Sequence, residues 1–129
     1  MISLPVVYVS DMERAIRFYA CLGLSERVRS RSNGWVELAA GDGHIALHVS
    51  AEPPRPAQPT DPDEPVPAGR VTLSFISRQP LEDLVRCLAK EGYRPWRDIV
   101  DEAFGRSLVV ADPDGLLIQV NEHDEELYT

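Results

Sequence analysis

One pattern occurs twice in this chain, and that repetition limits its fold more than any other feature. Met12, Ala15, Ile16 and Tyr19 recur at the i, i+3, i+4, i+7 spacing of an amphipathic helix. The same spacing returns 69 residues later as Leu81, Leu84, Val85 and Leu88. Ser10 and Glu13 form a capping-box pattern at the first start, and Pro80 suits the first position of the second helix. Gly23 and Gly92, also 69 apart, mark the two C-terminal stops. A short apolar strand precedes each helix, "VVYV" (6–9) and "VTLSFI" (71–76). After each helix come "LSERVRS" (24–30) or "YRPWRDIV" (93–100), then segments 34–49 and 105–120, which align without gaps at an offset of 71. Each aligned segment reads as strand, tight Asp/Gly turn, strand. The chain is therefore β-α-β-β-β twice. Two copies of this length are a duplication within one α+β domain, not a solenoid.

The 129 residues suit a single domain: a first module over 1–50, a connector over 51–69, a second module over 70–121 and an acidic tail over 122–129. Residues 50–69 carry seven prolines, which exclude a helix or a central strand there. A net charge of −8 excludes the basic footprint of nucleic-acid binding and disfavours anionic membranes. No apolar run reaches the ~20 residues of a membrane span, and the opening "MISLPVVYVSD" has no secretion signal. Cys21 and Cys87 fall in the two helical segments, which reads as a pair of reduced thiols and a cytoplasmic location.

Strand alternation separates two kinds of face. Val71, Leu73 and Phe75 oppose Arg70, Thr72 and Ser74. Ile45, Leu47 and Val49 oppose His44, Ala46 and His48, and Val36 and Leu38 oppose Trp35 and Glu37. Val7 and Val9 oppose Val6 and Tyr8, while Ile118 and Val120 oppose Gln119 and Asn121. The aliphatic faces must meet the helices. The other faces are open to two readings: the wet side of a half-exposed sheet, or the wall of a small-molecule site. Tyr8, Trp35, His48, Trp96 and Phe104 supply many large rings for a fully solvated surface, and a twisted sheet can curl around a hollow.

"VVYVSDMERAIRFYACLGL", "GRVTLSF" and "ADPDGLLIQVNE" resemble the vicinal-oxygen-chelate superfamily of glyoxalases, bleomycin-resistance proteins and dioxygenases. The resemblance covers residues 2 to 122. It implies paired βαβββ modules whose curled mixed sheets form a cup, with the helices on the outer face, and it implies a homodimer. Metal-dependent members carry His, Glu or Gln on four strands. The matching positions here are Leu4, His48 (or Ala46), Arg70 and Gln119. Leu4 has no donor atom and a guanidinium has no lone pair. The resemblance therefore points to the branch without metal or other cofactor, and assigns no catalytic residue.

The residues expected to line a ligand site are Tyr8, Trp35, Glu37, His48, Arg70, Thr72, Ser74, Trp96, Phe104 and Gln119. Trp35 and Trp96 can stack a flat guest or belong to the core. Arg70 can offer planar donors or form a salt bridge, for instance to Glu37. The expected function is sequestration of a bulky, partly aromatic antibiotic or natural product. The alternative is a lyase, isomerase or dioxygenase of the same superfamily, acting through His48 with Gln119 or Glu37. "GDG" and "DPDG" are hairpin turns, not phosphate cradles.

Overall fold

The computed structural model describes residues 1–51, 72–103 and 105–123. The chain divides into two compact units, Met1–Pro54 and Arg55–Thr129. In the first, β1 (Val6–Val9) leads into α1 (Met12–Cys21), β2 (Ser25–Arg29), β3 (Trp35–Ala40) and β4 (Gly43–Val49). The second runs β5 (Leu73–Ile76), α2 (Leu81–Lys90), β6 (Arg97–Glu102), β7 (Gly105–Ala111) and β8 (Leu117–His123). Each unit holds a four-stranded mixed sheet, ordered β1-β4-β3-β2 and β5-β8-β7-β6. The first and last strands of each unit pair in parallel, and the remaining pairs are antiparallel. This is the expected pair of β-α-β-β-β modules in the α+β class. Among the described residues no helix is long and apolar enough to cross a membrane.

Both helices end in the same way. Gly23 and Gly92 have φ of +93° and +90°. Leu24 N–H reaches back to the Tyr19 carbonyl and Gly23 N–H to that of Ala20; Tyr93 and Gly92 repeat this with Leu88 and Ala89. These paired bonds satisfy carbonyls that the helix end would otherwise leave open. The starts differ from expectation. Asp11, not Ser10, is the first cap: its backbone is extended and its Oδ1 accepts the Arg14 N–H at 3.1 Å. Pro80 is itself the cap residue of α2 and has no side chain to offer. The service comes from Glu122, whose Oε2 accepts the Leu81 N–H at 3.2 Å.

In each unit one sheet face carries the core. Val7, Val9, Val36, Leu38, Ile45 and Leu47 are buried with Met12, Ala15, Phe18 and Tyr19 of α1. Leu108, Val110, Ile118 and Val120 are buried with Leu81, Leu84 and Leu88 of α2. At the margin of these faces sits one arginine per unit. Arg29 pairs with Glu13 of α1 and with Glu26. Arg106 pairs with Glu82 of α2 and with Glu122. The Arg106 hydrogen bonds hold the Glu82 carboxyl down at about 2, and the Arg29 hydrogen bond lowers Glu26. Glu13 and Glu82 stand at equivalent helical positions 69 apart, but their arginines come from non-equivalent strands, β2 in the first unit and β7 in the second.

The ungapped alignment fails between the hairpins. In the first unit two residues, Gly41 and Asp42, connect β3 to β4, and Val36 faces Leu47. In the second, five residues lie between Ala111 and Leu117, and Ile118 faces Val110. Ser107, the position 71 after Val36, faces Asn121 instead. β7 has thus slipped by three residues relative to its counterpart, an odd number, so equivalent side chains change face. Asp112 accounts for the wider turn: its Oδ1 accepts the Asp114 and Leu116 N–H groups at 3.0 and 2.9 Å. β8 also continues through Glu122 to His123, past the expected module end at 121.

Candidate functional site

On the sheet face of the first unit turned away from α1, alternation and register gather four of the expected residues. Tyr8 lies opposite His48 in the parallel β1–β4 pair, and Trp35 lies opposite His48 in the antiparallel β3–β4 pair. The three rings therefore form a row across three strands. The Tyr8 and His48 centroids are 5.4 Å apart at a 38° tilt. Trp35 and His48 meet edge-on, 5.7 Å apart. Glu37, two residues along β3, projects from the same face, and its Oε2 accepts the Trp35 indole N–H at 3.2 Å. That bond fixes the indole plane at the end of the row. A second row, Val6, Ala46, Glu37 and Val28, runs beside the first. Tyr8 is 52% exposed and Trp35 is half-buried, so the rings present surface instead of closing a core.

The second unit offers a different face. Register places Ser74 opposite Gln119 and Gln119 opposite Val109, with Ile76, Asn121 and Ser107 in the next row. Asn121 Nδ2 donates to Ser74 Oγ at 3.1 Å, while its buried Oδ1 has no hydrogen-bond partner among the described residues. Ser74 and Gln119 were expected in the site; Asn121 and Ser107 were not selected. Their signal was present, since polar residues continue the alternation at 121, but Ser107 was hidden by the three-residue slip. Thr72 is exposed just before β5. Trp96 precedes β6, gives its backbone N–H to Val109, and carries the Arg97 guanidinium 5.7 Å from its ring centroid. Arg70 and Phe104 lie outside the described residues.

The donor set was tested against the cation that metal-dependent relatives hold. Leu4, ahead of β1, is hydrocarbon, and position 70 is arginine. Of these four positions His48 and Gln119 have suitable atoms, short of the several ligands that a divalent ion requires. Among the described residues no group of three His, Cys, Asp or Glu side chains could hold a metal. The residues present do not fit the ion.

Two successive β-α-β-β-β units, each with its helix on one sheet face, define the class of paired-module proteins to which this fold belongs. The sequence places it more closely. The chain belongs to the Glyoxalase/Bleomycin resistance protein/Dioxygenase superfamily, whose profile matches residues 2–120. Among solved structures, a virulence protein of Salmonella typhimurium, STM3117, is 29% identical, with 96% of this chain and 97% of that one covered and a TM-score of 0.63. A glyoxalase/dioxygenase from Nostoc punctiforme is 22% identical over 96% and 91% of the two chains, with a TM-score of 0.72. TioX from Micromonospora sp. ML1 is 15% identical over 96% and 99%, with a TM-score of 0.67. The last two show a shared fold. No curated protein matches the chain.

Proposed function

We propose that this protein binds and sequesters a bulky, partly aromatic small molecule of the antibiotic or natural-product type. The observation behind this reading is the Tyr8–His48–Trp35 row, held in place by the Trp35–Glu37 hydrogen bond. Exposed rings in fixed orientation are costly as mere surface, and they suit a flat guest. Family membership supplies the second support, because the superfamily includes bleomycin-resistance proteins. In this reading the guest lies on the first-unit row. Protection then follows from mass action, since bound drug is withdrawn from its target when protein is in excess.

The test is a screen by intrinsic tryptophan fluorescence against planar aromatic and glycopeptide antibiotics, bleomycin included. Saturable quenching by at least one of them is expected, and it should diminish in Trp35→Phe. Flat titrations across the panel would refute the proposal.

A further inference from the structure

We infer that the guest carries a positively charged nitrogen, an ammonium or guanidinium group, which seats over the Tyr8–His48–Trp35 row against Glu37. This inference rests on the binding reading above. Three observations support it.

Glu37 is a half-buried carboxylate with no cation within ion-pair distance among the described residues; its partner is the Trp35 indole N–H. Glu13, Glu26, Asp83, Glu82 and Glu122 each pair with an arginine. Among the described residues Glu37 thus stands without the arginine that these carboxylates have. The flanking Val6, Ala46 and Val28 are apolar and strengthen the field of that charge.

The rings are the second observation. Cations are drawn to aromatic faces within about 6 Å of the centroid. The 5.4 and 5.7 Å spacings along the row bring neighbouring rings within the range of a single charge.

The third is the fate of the cation that this face does own. Arg27, the extra residue of the bulge in β2, turns its guanidinium to His44 Nδ1 at 3.3 Å and leaves Glu37 alone. A neutral planar guest would satisfy the rings and leave Glu37 with the Trp35 indole N–H as its partner among the described residues. A cationic guest satisfies both.

The experiment uses a pair of probes of one shape, trimethylphenylammonium and its neutral isostere tert-butylbenzene. Binding is followed by the indole N–H signals in proton–nitrogen NMR spectra of the full chain, with Trp96→Phe used to assign the two tryptophans. The cation is expected to move the Trp35 signal and to bind at least about fivefold tighter than the isostere. Glu37→Gln should abolish that preference. Glu26→Gln, whose carboxylate faces Arg29, should leave the preference intact. Should Glu37→Gln fail to fold, the wild-type preference must still fall as sodium chloride is raised to about 0.5 M, as a charge interaction requires. Equal affinities for the two probes, or a preference that survives Glu37→Gln or high salt, would overturn the inference. Binding of tert-butylbenzene alone would overturn it and spare the aromatic-guest reading. Binding of neither would overturn both.

Discussion

The matched helix ends allow a prediction in which sterics and backbone strain separate. At Gly23 and Gly92 a methyl group would meet nothing within 4 Å, so substitution by alanine creates no clash. What remains is conformation. With φ at +93° and +90°, an L-residue pays about 1–2 kcal/mol. Alanine also narrows the unfolded ensemble, which returns about 0.4–1 kcal/mol. The difference leaves Gly23→Ala and Gly92→Ala each destabilised by about 1 kcal/mol. Because both glycines close the same two-bond motif, the two losses should agree within about 0.5 kcal/mol and add in the double variant. Urea unfolding followed by circular dichroism reads this directly; a slope of about 1–2 kcal/mol per molar turns each loss into a midpoint lower by roughly 0.5–1 M. Asparagine at either site should recover part of the loss, since it tolerates positive φ. An alanine variant as stable as wild type, or a gap above about 1 kcal/mol between the two sites, would refute the reasoning.

The other expectations can be taken together. Leu88→Ala, at a fully buried position of α2, should cost about 2–5 kcal/mol by urea titration. Trp35→Ala should weaken a planar guest by about 1–3 kcal/mol, measured by calorimetry, with the circular dichroism spectrum unchanged. Glu82 titrates at about 2 in the folded protein against an ordinary 4.5, chiefly through its hydrogen bonds from Arg106. A lowered folded value means that the carboxylate's stabilisation is whole above the ordinary value and disappears as pH falls toward about 2. The melting-temperature gap between wild type and Arg106→Gln should therefore hold steady above pH ~5 and shrink between there and pH ~2. A gap independent of pH would refute this pairing.

Helix positions, the order of elements along the chain and the core faces were legible because each rests on local periodicity. Met12, Ala15 and Tyr19 and their counterparts Leu81, Leu84 and Leu88 are buried as their spacing required. The Tyr8, Trp35, Glu37 and His48 group was legible too, since alternation assigns them to one face and a two-residue turn fixes the β3–β4 register. The second unit was harder to read. The extra residues of its turn are stabilised by Asp112, and nothing in an ungapped comparison weighs a loop that caps itself. On sequence alone Glu122 belongs to the acidic tail, because its role is long-range: it serves the start of a helix 41 residues earlier. Ile16, expected in the core, is half-buried at the border of the helical stripe.

The longer second hairpin separates the fates of two duplicated genes' worth of side chains. Position 71 after Trp35 is Arg106, and position 71 after Glu37 is Leu108. With the slip, the arginine lands over a helix and the leucine in the interior, while His48 and Gln119 keep their common orientation on the final strand. Three more residues at one turn thus have the effect of many point mutations, since they exchange the two faces of a strand. The sheet face turned away from α1 carries Tyr8, Trp35, His48 and a carboxylate, whereas the matching face of the second unit carries Ser74, Gln119, Asn121 and Ser107.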